Sequence, residues 1–254
     1  MKIVFIGAGN VASHLATELY KYGVCISQIY SRTMESAENL ADNTQAQAIT
    51  NIKEIAVDAD VYIFCLKDSV LEDILLQIPP NKGLWIHTSG SIPISIFEKF
   101  ATSYGVLYPF QTFTKGRKTE WKSTPLFIEA SDDKSFEQLE SIGRKLSDKV
   151  SFLSSENRKY IHLTGVFACN FTNHMYVLAE HFLSKAGLSF EAALPLIDET
   201  AQKVHELSPL QAQTGPAIRF DENIINKHLE LIDDTKVKEI YRLISENIHQ
   251  TKKD

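Results

Sequence analysis

Hydrophobic positions in the first part of the chain fall in short unbroken runs separated by amphipathic stretches. Ile3 to Ile6, Val61 to Leu66 and Leu84 to Ile86 are such runs, rich in β-branched and aromatic residues, and Val24 to Tyr30 reads as a further strand that carries Ser27 and Gln28. An unbroken apolar run of this length marks a strand buried on both faces, as in a parallel sheet. Between the runs the period changes to that of a helix. Val11, Leu15, Leu19 and Tyr22 share one face, and helices are predicted near Glu35–Asp42, Asn51–Asp58, Val70–Gln77, Ile94–Tyr104 and Lys134–Asp148. Further strands are predicted near Gln45–Ile49, Leu126–Glu129 and Val150–Leu153. This alternation predicts an α/β fold, a doubly wound, mostly parallel sheet over residues 1–155.

The pattern changes after Ser154-Ser155-Glu156, which reads as a helix cap. From Glu156 to about Ala186 there is no proline and one internal glycine, Gly165, so a single long helix is predicted, with Gly187 as its C-cap. Helices near Glu191–Leu207, Glu222–Ile232 and Thr235–His249 follow, with an irregular stretch over Ser208–Asp221 and a frayed end over Gln250–Asp254. Residues 156–254 therefore form an all-α domain, joined to the first without a flexible linker.

At 254 residues, 44% hydrophobic and 23% charged, the chain has the composition of a globular protein. Its formal net charge of −6 argues against a nucleic acid or an anionic membrane as partner. Cys25, Cys65 and Cys169 stand apart within apolar runs and read as small buried residues in a reducing, cytoplasmic setting. No apolar stretch is long enough to span a membrane, and the first run is too short for a signal peptide. Histidine spacing suggests no metal site.

The chemistry begins at Gly7-Ala8-Gly9-Asn10-Val11-Ala12, a G-x-G-x-x-A motif placed between a strand and a helix. Gly7 permits the tight turn, Gly9 admits a pyrophosphate to the backbone, and Ala12 lets helix and strand pack closely. The helix start then offers free N–H groups to the phosphates. Ser31-Arg32-Thr33 ends the second strand, where an acid would bind the ribose hydroxyls of NAD. A hydroxyl and a cation instead suit the 2′-phosphate of NADP(H), unless Arg32 is simply a solvated residue. Leu66, Lys67 and Asp68, then Thr88 and Ser89, follow strands at the ends where ligands sit in such sheets; capping of the next helix is the plainer role for Asp68.

His87 occupies the same edge, either as a proton donor or as a structural histidine. On the long helix, regular 3.6-residue turns would put His162, Val166, Asn170 and Asn173 on one face and Leu163, Phe167, Phe171 and His174 on the next. The carboxamides of Asn170 and Asn173 need partners if buried. A substrate or cofactor could supply them, and so could another helix or subunit.

Four motifs, HTSG (87–90), PFQTF (109–113), ACNF (168–171) and TGPAIR (214–219), resemble those of the Rossmann-like NADP oxidoreductases that carry a helical C-terminal domain of unknown function. The first half also resembles pyrroline-5-carboxylate reductases and deazaflavin-dependent NADP reductases. The long helix is similar to the one opening the C-terminal domain of 3-hydroxyisobutyrate and 6-phosphogluconate dehydrogenases. The resemblance implies NADP(H) in the glycine turn, a small-molecule substrate in a cleft between domains, and a homodimer built through the helical half. His87 or Tyr108 would then donate a proton, Asn170 would hold a carbonyl or imine, and Arg219 would clamp a carboxylate or, alternatively, form an interface salt bridge. Three departures stand out. Tyr108 replaces an expected histidine, Phe220 replaces an expected glycine, and no lysine occupies the long-helix positions Val166, Cys169 or Asn170. The missing lysine counts against acid–base chemistry of the hydroxy-acid dehydrogenase type, and the expected activity is that of an NADP(H)-dependent oxidoreductase on a small polar imine, ketone or hydroxy-acid-type substrate. The alternative is a non-catalytic NADP(H)-binding sensor or partner-binding protein.

Overall fold

The computed structural model describes residues 1–251. They form two compact units that divide after Asn173. The sequence-based boundary at 155/156 lies at the start of the long helix, and the first part of that helix groups with the sheet.

The first unit is built on eight strands: β1 (Lys2–Ile6), β2 (Cys25–Tyr30), β3 (Gln47–Ile49), β4 (Val61–Phe64), β5 (Leu84–His87), β6 (Tyr104–Pro109), β7 (Leu126–Ala130) and β8 (Val150–Phe152). Their order is β3-β2-β1-β4-β5-β6-β7-β8, parallel from β3 to β6. β7 runs antiparallel to β6, and β8 follows β7 in parallel. The order reverses direction between β1 and β4, the switch point at which doubly wound sheets open a crevice for a ligand.

Helices α1 (Asn10–Lys21), α2 (Met34–Ala41), α3 (Asp68–Leu75) and α4 (Asp133–Leu146) cover this sheet. Alternate strand residues supply its two cores. Ile3, Phe5, Ile63 and Ile86 pack with Leu15, Leu19, Leu139 and Ile142. Val4, Ile6, Tyr62, Phe64 and Trp85 pack with Leu71, Leu75 and Phe97 on the opposite face. Burial on both faces explains why the strands read as unbroken apolar runs.

Several expectations are corrected. Asn51–Asp58 forms only a 3-10 turn over Ile52–Glu54, capped by Asn51. The helix expected over Ile94–Tyr104 is a 3-10 turn, Ile94–Phe97, and Tyr104 already belongs to β6. Phe97, fully buried among Phe64, Trp85 and Tyr104, anchors that turn, so packing wins over helical spacing. Asp68 does not cap α3: Lys67 holds the cap position, and Asp68 is the acidic residue of the first turn. Cys25 is exposed at the start of β2.

The long helix is continuous but not uniform. α5 (Ser155–Gly165) passes through a π-helical segment, Val166–Phe171, into α6 (Thr172–Lys185). The side chain of Thr172 donates to the carbonyl of Phe167, five residues back, in keeping with the widened turn. Ser154 caps the start through its side chain, and Gly187 ends the helix at φ +73°.

The remaining helices are α7 (Leu194–Glu206), α8 (Pro209–Ala212), α9 (Pro216–Arg219), α10 (Glu222–Leu231) and α11 (Thr235–Thr251). The stretch read as irregular thus holds two short helices, each opened by proline at its first position. Gln250 and Thr251 remain helical; the rest of the predicted frayed end lies outside the described residues.

Candidate functional site

The turn after β1 is shaped by close approach. Gly7 has φ +112°, and a Cβ there would stand 2.2 Å from the carbonyl oxygen of Cys65 at the end of β4. Its N–H donates to the carbonyl of Tyr30, tying the turn to β2 as well. No side chain could replace this hydrogen atom without moving β4. Gly9 differs: it occupies the cap position of α1 in extended backbone, and nothing lies within 4 Å of where its Cβ would stand. No side chain caps α1. Its first amides therefore have no side-chain partner, which leaves them available to a pyrophosphate. Ala12 is fully buried against the sheet. The residues present thus fit a dinucleotide.

Asn10 and Val11 begin the helix as the motif predicts, but the Asn10 side chain donates to the carbonyl of Phe113 at 3.0 Å. His14, one turn on, contacts the Thr114 carbonyl through Nε2 (3.0 Å) and the Thr119 hydroxyl through Nδ1 (2.9 Å). The loop after β6 is thereby fastened along α1.

Ser31, Arg32 and Thr33 follow β2 together. Ser31 N–H donates to Ile49, and the Thr33 hydroxyl donates to Ser36 at 2.8 Å. Arg32 is exposed and forms no ion pair among the described residues. Leu66, Lys67 and Asp68 continue from β4. Beside them, burial pushes the Cys65 thiol up to about 12, and the Thr88 side chain, hydrogen-bonded to it, opposes that rise.

The edge continues through β5. His87 is buried, its Nδ1 accepting from the Ser89 N–H at 3.2 Å. This assigns the proton to Nε2, which is buried with no hydrogen-bond partner. The Pro93 carbonyl lies near enough to favour the imidazolium slightly, but not in hydrogen-bonding geometry. Burial dominates, and with the Arg158 guanidinium nearby it pushes the His87 pKa down to about 3. His87 is thus a neutral imidazole near pH 7. The Ser89 hydroxyl accepts from the N–H groups of Ser91 and Ile92 and shapes the loop that follows.

α5 is seated on these strand ends by two glycines. A Cβ at Gly90 would collide with the His162 ring, at 2.5 Å from Nδ1, and one at Gly165 would press on Phe110 at 3.1 Å. The helix start is locked by a buried ionic cluster. Arg158, 1% exposed, donates to Glu129 (2.7 Å), to the Ile92 carbonyl (2.6 Å) and to the Ser155 hydroxyl (3.1 Å). Ser155 donates in turn to Glu129 and accepts from the Ile94 N–H. Removing one partner of such a pair costs about 3–5 kcal/mol, because the other charge is left buried alone.

Tyr108, at the end of β6, meets this helix. Its hydroxyl lies 3.1 Å from His162 Nδ1, and its ring stands edge-on to the imidazole. Burial raises the phenol pKa, while Arg158 works against the rise. Tyr108 therefore keeps its proton at neutral pH.

Asn170 lies in the π segment and Asn173 just after it; both are exposed, as are Leu163, Phe167 and Phe171. The regular faces expected from a 3.6-residue repeat do not persist across 166–171. Arg219 lies in the second unit, exposed at the end of α9. Phe220 beyond it adopts the left-handed conformation (φ 52°, ψ 49°) that the expected glycine would take, and its ring stacks on His249 at 4.4 Å between centroids.

Residues 2–87 match the family described as NADP oxidoreductase, coenzyme F420-dependent, and residues 124–248 match a domain of unknown function, DUF2520. A protein of Bacteroides fragilis named as an NADP oxidoreductase, BF3122, is 49% identical, with 98% of each chain covered and a TM-score of 0.92. The chain belongs to this family of NADP oxidoreductases. A reductive aminase of Aspergillus terreus, solved with NADPH and ethyl levulinate, shares the family's fold at 17% identity, covering 98% of this chain and 94% of its own (TM-score 0.73). Glutamyl-tRNA reductase 2 of Pyrobaculum arsenaticum is 26% identical over 157 residues, 59% of this chain; the match spans 37% of that protein's length. Among the described residues, no helix of this oxidoreductase is long and apolar enough to cross a membrane.

Proposed function

We propose that this oxidoreductase reduces a small polar imine or ketone with NADPH, or runs the reverse reaction on the corresponding hydroxy compound. The observation that carries the reading is the Tyr108–His162 pair, held at the strand ends that continue from the glycine turn.

Bound NADPH supplies a hydride to the substrate carbon. The protein's part is to bind, orient and protonate. Gly7, Ala8, Gly9, Asn10 and Val11 receive the pyrophosphate, and Ser31, Arg32 and Thr33 receive the adenosine phosphate. Leu66, Lys67, Asp68, Thr88 and Ser89 form the rest of the cofactor-facing edge. Tyr108 holds at its hydroxyl the proton that the reduced oxygen or nitrogen takes up. His162 Nδ1 orients that hydroxyl and relays a replacement proton from water. His87, neutral and buried, positions the Ser89–Ile92 loop rather than donating. Asn170, in the widened turn, holds the carbonyl or imine; π segments are frequent at functional sites. Arg219 is proposed as the cation for a substrate carboxylate. The reductive aminase with NADPH and a keto ester makes this substrate class the natural one to try first.

The test is NADPH consumption across a panel of cyclic imines, small ketones and keto acids. Turnover of one class, reduced at least tenfold in Asn170→Ala while the fold is kept, supports the reading. Tight NADPH binding with no turnover across the panel removes it.

We also infer that the protein works as a pair of identical chains joined through the helical unit. α6 and α7 bury no residue, and Leu196 and Leu231 are about 70% exposed. Amphipathic helices owe most of their stability to a buried face, and this unit leaves such faces uncovered. Sedimentation should find a dimer at micromolar concentration; a monomer would overturn the inference.

A further inference from the structure

The loop after β6 is polar and carries a cluster of basic residues. Lys115, Arg117 and Lys118 place three cations in four positions. The loop turns sharply there: Arg117 N–H donates to the Thr114 carbonyl, and Gly116 adopts φ +83°. None of the three cations forms an ion pair among the described residues.

Both ends of this turn are fastened to α1. Before it, Phe113 and Thr114 accept from or contact Asn10 and His14; after it, Thr119 contacts the other nitrogen of His14. The turn is therefore held level with the first two turns of the helix whose start receives the pyrophosphate. It lines one side of a cavity of about 790 Å³. Ala8 and Asn10 of the glycine turn line the same cavity, and so do Glu35 and Ser36 at the start of α2. Ser36 is the partner of the Thr33 hydroxyl. One cavity thus joins the pyrophosphate turn, the residues beside the proposed phosphate contact, and three unpaired cations. Of its acids, Glu18 is paired with Lys21 at 2.8 Å, which leaves Glu35 and Glu120 to be outweighed by the three cations and Arg32.

We propose that the Lys115–Lys118 turn is a second, cationic wall of the adenosine-phosphate site and sets the preference for NADP(H) over NAD(H) together with Arg32. This rests on the NADP(H) reading of the glycine turn. A phosphate dianion placed between Ser31–Ser36 and this turn would draw charge-assisted hydrogen bonds from both sides. A cofactor without the 2′-phosphate would gain nothing from the turn. His14 gives the wall its position, because its two ring nitrogens hold both ends of the turn.

The experiment is calorimetric titration of the full chain with NADPH and NADH, at low and high salt. The proteins are the natural chain, the triple variant Lys115→Gln/Arg117→Gln/Lys118→Gln and the charge-keeping variant Lys115→Arg/Arg117→Lys/Lys118→Arg. The triple variant should bind NADPH at least about tenfold more weakly, with a shallower salt dependence and unchanged NADH affinity. The charge-keeping variant should bind like the natural protein. Equal NADPH affinity in all three, with the natural preference for NADPH intact, overturns the wall and leaves the glycine-turn reading standing. No preference for NADPH in the natural chain brings down the reading of Ser31, Arg32 and Thr33 as a 2′-phosphate contact, and the wall with it. Equal loss of NADPH and NADH in the triple variant also overturns the wall, since it points to a general loosening of the loop. Circular dichroism of each variant separates that loosening from unfolding.

Discussion

The hydroxyl of Tyr108 sits 3.1 Å from Nδ1 of His162, and Gly90 leaves no room between the strand-end loop and that same imidazole. A strand from the sheet and a turn of the long helix thereby deliver two proton-carrying groups to one point. If Tyr108 is the donor and His162 its relay, the two substitutions should differ. Tyr108→Phe should lower kcat about 100-fold or more and leave NADPH affinity unchanged. His162→Gln should lower kcat less, and small added imidazole should restore part of the rate. Equal kcat in Tyr108→Phe and the natural enzyme would remove Tyr108 from the chemistry.

Arg32 is exposed and unpaired at the end of β2, so its substitution should leave the fold alone. Arg32→Ala should weaken NADPH binding about tenfold and spare NADH, because one charge-assisted contact to the 2′-phosphate is lost. Parallel titrations with the two cofactors decide it; matched losses would mean that Arg32 does not read the phosphate.

His87 is held neutral, with its folded pKa near 3 against about 6.5 in the unfolded chain. A histidine with a depressed folded pKa binds its proton more readily when unfolded. Its contribution is complete above about pH 6.5 and is lost as pH falls toward 3, because over that window the unfolded chain takes up the extra proton. Denaturant titrations between pH 7 and 4 should show stability falling with acidification. His87→Asn, which cannot take up the proton, should flatten that slope by up to one proton's worth. An unchanged slope would mean that another group controls the acid limb.

Phe220 keeps a left-handed backbone without being glycine, at a strain of about 1 kcal/mol. The stack on His249 offsets this by a similar amount. Phe220→Ala keeps the strain and loses the stack; Phe220→Gly loses both. Thermal unfolding should therefore rank Phe220→Gly above Phe220→Ala. The reverse ranking would show that the backbone at 220 is not strained.

The parts of the fold that depend on one segment at a time were readable from the residues. The glycine turn, the strands buried on both faces and the capped start at Ser154 follow from local sterics and periodicity. What depends on partners distant in sequence was not. Nothing in Ile94–Tyr104 announces that Phe97 would be drawn into the aromatic core at the expense of a helix. Glu129 ends a predicted strand and Arg158 falls within a predicted helix, and only the fold makes them a buried pair. His162 appeared as one member of a helix face, because its partner Tyr108 lies 54 positions away. Lys115, Arg117 and Lys118 stand in a polar stretch with no motif of its own, and their placement depends on His14 and Asn10, about a hundred positions earlier.

The π segment at 166–171 also has a bearing on how the long helix can vary. One extra residue in a helical turn is a phase shift: every position after it points about 100° away from where an uninterrupted helix would put it. Deleting a single residue there would close the wide turn and leave α6 on its present bearing, whereas closing it with every residue kept would dial all the side chains of α6 round by about 100°. Chains with the same motifs but without the wide turn should therefore present a different set of side chains on that face, with no change in the residues themselves.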